Sequence, residues 1–140
     1  MIKNYLFDLD GTLLPLDEEL FVKKYFELLA QKFHEIGLDP EVMIKRLWSG
    51  TKNMILNDGS KTNEDVFWDI FLPEHEDKEE IKIALEKFYQ NEFDAVKTST
   101  QPSHISRIVI DILKSRDKTI VLATNPIFPA VATKKRIELE

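Results

Sequence analysis

Residues 2–12 read IKNYLFDLDGT, an apolar run followed by two carboxylates that stand one residue apart. The apolar run predicts a β-strand, and Gly11 permits the sharp backbone turn that follows it. Asp8 and Asp10 therefore lie at the carboxyl end of a predicted strand, and a hydroxyl residue comes directly after the glycine. A match to four such fixed residues is expected by chance on the order of once in a thousand chains of this length. The segment is the most specific signal in the sequence.

Two other structures also use an Asp-Gly step. Asp10-Gly11 suits a two-residue hairpin turn between residues 5–9 and 12–16. Pro15 would then lie inside the second strand, where it has no N–H to donate to the ladder. A calcium loop in this register would begin at Leu6 and close at Asp17, and no predicted helix leads into it. Both remain weaker alternatives to a pair of strand-end carboxylates.

A second apolar run also ends in polar residues. Residues 118–125 read KTIVLATN, which predicts a strand over Thr119–Ala123 followed by Thr124 and Asn125. An Asn-Pro step is also an ordinary turn, so this pattern is weak by itself. It becomes informative because it follows the segment around Asp8 and Asp10 along the chain. Because open α/β sheets bind ligands at the carboxyl ends of their strands, we expect the two strands to pair in parallel. Thr124 and Asn125 would then lie within phosphate-spanning distance of Asp8.

Together the two segments resemble a known family. Residues 8–12 resemble motif I of the haloacid dehalogenase-like (HAD) superfamily, written Asp-x-Asp-x-Thr, and residues 118–125 are similar to its motif II. The resemblance implies an α/β fold, with a HAD-like Rossmannoid parallel core that is incomplete in this chain and an inserted all-α cap domain of the C1 type. In that fold residues 1–15 and 98–140 form the partial core, and residues 16–97 form the helical cap.

The resemblance also implies roles for four residues. Asp8 is the nucleophile that takes the phosphoryl group, and Asp10 exchanges a proton with the leaving oxygen and then with water. The Asp8 carboxylate and the Asp10 backbone carbonyl bind Mg²⁺, while Thr124 and Asn125 bind the phosphoryl oxygens. A carboxyl at Asp10 is typical of members that cleave phosphate esters or anhydrides, whereas dehalogenases and phosphonate-cleaving relatives have an aromatic or a small residue there.

These roles predict a Mg²⁺-dependent phosphohydrolase that acts through an aspartyl-phosphate, on a small phosphorylated metabolite. The alternative is a noncatalytic helical interaction module that retains vestigial motifs. The two differ in whether p-nitrophenol is released from its phosphate in a Mg²⁺-dependent way.

The span between the two motifs carries helical periodicity throughout. Asp17, Asp39 and Thr62 are placed to cap helices, and no strand pattern interrupts them. We therefore expect an all-helical layer over residues 17–93, hinged to the strands near residues 14–16 and 98–101. Its aromatic residues either line the site or form the core of the cap: Trp48, Phe67, Trp68, Phe71 and Phe93.

Composition excludes several other functions. The formal charge is −6, from 25 acidic and 19 basic residues, and such a surface disfavours binding to nucleic acid or an anionic membrane. Without cysteine there is no disulfide or thiolate chemistry. No leader peptide or membrane span is evident, so we expect a cytoplasmic protein with a small-molecule phosphate ester as its partner. His34, His75 and His104 show no metal-ligand spacing.

Part of the family pattern is missing. HAD members place a lysine motif and an acidic motif beyond motif II, and neither the run Lys134-Lys135-Arg136 nor the two acids behind it matches them. The basic run is interpreted as a solvated helix face. The chain resembles the N-terminal portion of a family member, so we expect a fragment or truncated product that has no useful activity alone, with turnover near background. Open sheet edges and the apolar stripe of the helix before the second strand predict self-association.

Overall fold

The computed structural model describes residues 2–72, 77–125 and 127–138. Helices account for 64% of these residues. In chain order the elements are β1 (Asn4–Phe7), α1 (Glu18–Glu35), α2 (Pro40–Ile55), α3 (Asn63–Phe71), α4 (Lys78–Gln90), a 3₁₀-helix (Glu92–Ser99), α5 (His104–Ser115), β2 (Thr119–Leu122) and α6 (Ala130–Ile137).

The predicted fold class, a Rossmannoid α/β core with an inserted cap, is wrong. The described residues are mostly helical, and their sheet has two strands, β1 and β2. The physical reason is the location of the buried apolar residues, which cluster among the helices rather than on the faces of a sheet. We call this cluster the helical core, and it contains Phe21, Tyr25, Leu29, Phe33, Met43, Leu47, Phe71, Leu72, Ile81, Leu85, Phe88, Tyr89, Phe93, Val96 and Ala132.

The predicted pairing of the two strands is confirmed. β1 and β2 are parallel, with Asn4 opposite Thr119 and Phe7 opposite Leu122. The amide of Ala123 donates to the carbonyl of Phe7 at 2.7 Å, so the pairing continues past the last strand residues. The connection between the strands passes through all the helices from α1 to α5, and α5 packs against β2.

The starts of α1, α2 and α3 are set by local side-chain caps. Asp17 accepts a hydrogen bond from the Leu20 amide at 2.9 Å, and Asp39 accepts from the Glu41 amide at 2.9 Å. Thr62 accepts from the amide of the third residue after it, at 3.1 Å. Each cap satisfies an N–H group that has no partner within its own helix. All three predicted caps are therefore confirmed.

The described residues of the span 17–93 are helices and turns, and none of them belongs to a strand. The two predicted hinge segments lie side by side. Leu16 and Thr100 form an isolated antiparallel bridge, and the Asp17 amide donates to the Ser99 carbonyl at 3.0 Å. Ala132 of α6 packs within the helical core, so residues on both sides of the predicted domain boundary share one core. The division into a core and a cap domain stays a prediction.

The five aromatic residues that could either line the site or form the core take three positions. Phe71 and Phe93 are buried in the helical core, and Phe67 and Trp68 pack against it. Trp48 is 55% exposed and stacks on Phe26, with 5.2 Å between ring centroids. The core interpretation therefore holds for Phe71 and Phe93.

Helices α2 and α3 pack closely against each other at Gly50. A Cβ atom built on Gly50 would lie 2.7 Å from Cδ2 of Phe67, closer than a real contact allows. We expect Gly50→Ala to lower the free energy of unfolding by about 1–3 kcal/mol through overpacking, although alanine normally favours a helix by about 1 kcal/mol over glycine. Urea unfolding measures the change, with Ser49→Ala as an exposed control on the same helix. A more stable Gly50→Ala chain would contradict this packing.

An ion pair joins α1 to the 3₁₀-helix. Lys32 Nζ lies 2.5 Å from Glu92 Oε1, and this hydrogen bond holds the pKa of the Glu92 carboxyl below its ordinary 4.5. A carboxyl with a lowered pKa contributes stability above its unfolded pKa, and this contribution disappears as pH falls through the folded pKa. Glu92→Gln should therefore be less stable than the parent at neutral pH, and the two should converge well below pH 4.5. Urea unfolding midpoints of the parent and Glu92→Gln, at neutral pH and well below pH 4.5, measure the difference in stability. Glu27→Gln serves as the control. A difference that is independent of pH would contradict the assignment.

One face of α5 is apolar and exposed. It consists of Ile105, Ile108, Val109 and Ile112, and we call it the α5 apolar face; Ile105 is 73% exposed. On the nearby sheet, Leu6 and Val121 are paired across the strands and both exposed. Contiguous exposed apolar surface favours association.

We expect the chain to self-associate through the α5 apolar face. The weight-average mass in sedimentation equilibrium should rise with protein concentration, and Ile108→Lys combined with Ile112→Lys should remove the rise. Ile83→Lys, an equally conspicuous exposed position on α4, serves as the control and should change nothing. A monomeric parent at all concentrations would refute the prediction.

Candidate functional site

The four predicted site residues follow the carboxyl ends of the two paired strands. Asp8 comes directly after β1, and Thr124 and Asn125 come two and three residues after the end of β2. Because Phe7 is opposite Leu122 in a parallel pair, extending the register places Asp8 beside Ala123. The site residues are thus gathered at one edge of the sheet.

The turn after β1 holds its two carboxylates in different surroundings. Leu9 is buried, and its carbonyl accepts hydrogen bonds from the Leu14 amide at 2.9 Å and from the Thr12 amide at 3.2 Å. Gly11 has a φ of +72°, which favours glycine. With Leu9 fixed inward, Asp8 is exposed and Asp10 is half-buried.

This geometry also decides between the local alternatives. β1 pairs with β2 rather than with the residues that follow Gly11, so the hairpin is not formed. The segment before Asp8 is a strand, which is not the helix that precedes a calcium loop.

A hydrogen bond from α5 also holds the turn after β1. The Ser106 hydroxyl at the start of α5 donates to the Leu13 carbonyl at 2.7 Å. The turn is therefore anchored to both β1 and α5.

Arg136 is the site residue that the sequence analysis missed. Its Nη1 lies 2.7 Å from Oδ2 of Asp10, and Arg136 is only 2% exposed. The prediction that Lys134-Lys135-Arg136 forms a solvated face is therefore wrong for Arg136. Lys134 is exposed, while Lys135 pairs with Asp94 at 2.6 Å. The missed signal was the four-residue spacing of Phe128, Ala132 and Arg136, which places them along one side of α6 and the turn before it.

Burial and two neighbouring charges set the protonation of Asp10. Burial raises the pKa of the Asp10 carboxyl, Arg136 lowers it, and the nearby Asp8 raises it, with a net shift above the ordinary 3.8. Oδ2 is held by Arg136, while Oδ1 is buried without a hydrogen-bond partner. Asp10 therefore keeps a proton more readily than an ordinary aspartate does.

The available donors fit Mg²⁺ in a limited way. Asp8 and Asp10 offer only oxygen atoms, which is the donor type that Mg²⁺ prefers, and Mg²⁺ is often held by one or two carboxylates together with waters. Oδ1 of Asp10 has no hydrogen-bond partner within the protein, so it can accept a hydrogen bond from such a metal-bound water. Among residues 2–72, 77–125 and 127–138 no group of three or more His, Cys, Asp or Glu side chains is arranged to hold a metal ion. Mg²⁺ would thus rest mainly on Asp8.

The histidines add nothing to this site. His34 is exposed on α1, and His104 is exposed at the first residue of α5. His75 lies outside the described residues. The absence of metal-ligand spacing among them stays an inference from the sequence.

Comparison with protein families, curated proteins and solved structures finds no match to this chain. No helix of the described residues is both long enough and apolar enough to cross a lipid bilayer. The functional assignment accordingly rests on the residues at the strand ends.

Proposed function

We propose that the chain carries the nucleophile and phosphate-binding residues of a Mg²⁺-dependent phosphohydrolase that acts on a small phosphorylated metabolite. The proposal is carried by one observation: the parallel pairing of β1 and β2 gathers Asp8, Asp10, Thr124 and Asn125 at one edge of the sheet. The same proposal includes a cytoplasmic location, because a cysteine-free acidic chain suits a reducing compartment. It involves neither nucleic acid nor a membrane.

The residues divide the reaction between them. The exposed carboxylate of Asp8 attacks the phosphorus atom and displaces the leaving oxygen, which forms an aspartyl-phosphate. Asp10, with its raised pKa, delivers its proton to the leaving oxygen. It later takes a proton from the water that attacks the phosphorus, which breaks the bond to Asp8 and releases inorganic phosphate. The Thr124 hydroxyl and the Asn125 amide donate hydrogen bonds to the phosphoryl oxygens. Mg²⁺, when bound, neutralises the charge that otherwise keeps the carboxylate and the phosphate apart.

The second candidate function is a noncatalytic helical interaction module. It is favoured by the exposed α5 apolar face, which provides a surface for association rather than for chemistry. In that case Asp8 would only end β1, and Asp10 would only serve as the partner of Arg136.

Hydrolysis of p-nitrophenyl phosphate separates the two candidates. The phosphohydrolase predicts slow, Mg²⁺-dependent release of p-nitrophenol by the parent chain and none above background by Asp8→Asn. The matched control is Asp117→Asn, because Asp117 is exposed before the start of β2 and its φ of +54° suits asparagine equally well. Equal rates for the parent and Asp8→Asn would favour the interaction module.

A further inference from the structure

We propose that Arg136 is a positioning residue: from within the helical core, its guanidinium holds the Asp10 carboxylate in a single orientation at the strand end. The catalytic role of this orientation rests on the proposed function, whereas the contact between Arg136 and Asp10 does not depend on it. The inference joins α6, the last described helix, to the turn after β1.

The contact is an ion pair between a buried guanidinium and a partly buried carboxylate. Arg136 Nη1 donates to Asp10 Oδ2 at 2.7 Å, across 126 positions of sequence. Arg136 is 2% exposed, and the Asp10 side chain is 30% exposed. A buried guanidinium is strongly destabilising without an anion beside it. Asp10 is the only acidic side chain that pairs with Arg136 in the described part of the chain, so Arg136 is tied to this carboxylate.

The guanidinium also packs against an aromatic ring. Its Cζ lies 4.5 Å from the centre of the Phe128 ring, within cation–π distance. The hydroxyls of Tyr25 and Tyr89 are hydrogen-bonded to each other at 2.7 Å in the helical core. Burial raises the pKa of both tyrosines, and the positive charge of Arg136 acts in the opposite direction. Arg136 therefore has little freedom to move away from Asp10.

A small cavity borders Arg136. Its volume is about 20 Å³, and Phe93 and Val96 also line it. That volume suits one water molecule, which is an ordinary partner for the Nε atom that makes no hydrogen bond within the protein. The cavity is too small for a substrate, so Arg136 does not bind one there.

A fixed Arg136 makes the two oxygens of Asp10 different. Oδ2 is occupied by the guanidinium, and Oδ1 is left as the oxygen that exchanges a proton with a reacting group. The planar guanidinium gives a more directional contact than a lysine ammonium would. Arg136 therefore controls the orientation of the Asp10 carboxyl. This orientation matters for the rate, because a correctly placed proton donor contributes about 10²–10⁴-fold.

Rotamer measurements test the positioning without any need for turnover. Three-bond couplings from the Asp10 carboxyl carbon to its backbone nitrogen and carbonyl carbon report its χ1 populations by NMR. We expect single-rotamer values in the parent, averaged values in Arg136→Met, and intermediate values in Arg136→Lys. Lys135→Met is the matched control, since Lys135 pairs with Asp94 and not with Asp10, and it should leave Asp10 in one rotamer.

Two outcomes would overturn the proposal. One is a rotamerically averaged Asp10 in the parent chain, which decides the question even if the Arg136 variants fold poorly. The other is a single Asp10 rotamer that persists in a folded Arg136→Met chain, which would show that the loop alone orients the carboxylate. The exposed Asp8 serves as an internal reference whose couplings should not respond to Arg136.

A leaving-group comparison adds a readout that a purely structural role would not change. p-Nitrophenolate leaves without a proton, whereas an alkoxide from glycerol phosphate needs one. Arg136→Met should lower the glycerol phosphate rate at least about tenfold more than the p-nitrophenyl phosphate rate, while a loss of folded protein lowers both equally. If the parent and Asp8→Asn do not differ on either ester, the proposed function fails, and the couplings alone decide the role of Arg136.

Discussion

Replacing Asp8 with asparagine is expected to reduce Mg²⁺-dependent hydrolysis of p-nitrophenyl phosphate to the rate of protein-free buffer. An amide cannot attack phosphorus, and it is a poorer ligand for a divalent cation than a carboxylate. Loss of the nucleophile in a covalent mechanism costs about 10⁶ in kcat in a well-studied hydrolase. No excess over the uncatalysed rate should therefore remain in the variant.

The parent itself should turn over slowly. The transferring phosphoryl group is stabilised mainly by fixed cations, and each lost contact of this kind costs about 10²–10³ in rate. Arg136 is the only cation that contacts a predicted site residue in the described ranges, and it is already paired with Asp10. A beryllofluoride adduct provides a second readout that requires no turnover.

Beryllofluoride binds a free carboxylate as a mimic of the phosphoryl group. With Mg²⁺ present, ¹⁹F NMR should show a bound resonance with the parent and with Asp117→Asn, and none with Asp8→Asn. A bound resonance in Asp8→Asn, or turnover that survives the substitution, would show that Asp8 is not the nucleophile.

Local signals predicted the parts of the site that depend on nearby residues. The two apolar runs formed the parallel pair, because β-branched and aromatic residues favour strands, and the Asp17, Asp39 and Thr62 caps each act within three residues of the helix start. Gly11 takes the positive φ that its position requires. All of these depend on contacts within a few residues or on one pairing between two strongly patterned segments.

Apart from the pairing of β1 with β2, contacts between distant segments were not predicted. The fold class was wrong because the sequence pattern does not say which apolar faces meet. The helical core is formed by α1 to α4, the 3₁₀-helix and α6. Arg136 was interpreted as solvated because its two neighbours are lysines, although it lies four residues after the buried Ala132. A charged residue on a buried side of a helix requires a partner, and that partner, Asp10, is 126 positions away.

The ion pair between Asp10 and Arg136 predicts unequal effects when either side is removed. Asp10→Ala leaves a cation that is 2% exposed without an anion, and breaking a buried pair in this way costs about 3–5 kcal/mol of unfolding free energy. Arg136→Met fills a similar volume and leaves a carboxylate that water reaches, with a 30% exposed side chain. We expect a smaller loss for this variant, about 1–3 kcal/mol.

The double variant then tests the coupling directly. Removing both charges leaves no unpaired buried group, so Asp10→Ala combined with Arg136→Met should be more stable than the sum of the two single losses implies, by about 1–3 kcal/mol. Urea unfolding in Mg²⁺-free buffer measures all three, with Asp8→Ala as the control for an exposed carboxylate in the same turn. Two results would contradict this coupling: single-variant losses of stability that add within about 0.5 kcal/mol, or a larger loss for Arg136→Met than for Asp10→Ala. Either result would mean that Arg136 is stabilised by its packing on Phe128 and not by Asp10. In that case Arg136 would not orient the Asp10 carboxylate at the end of β1.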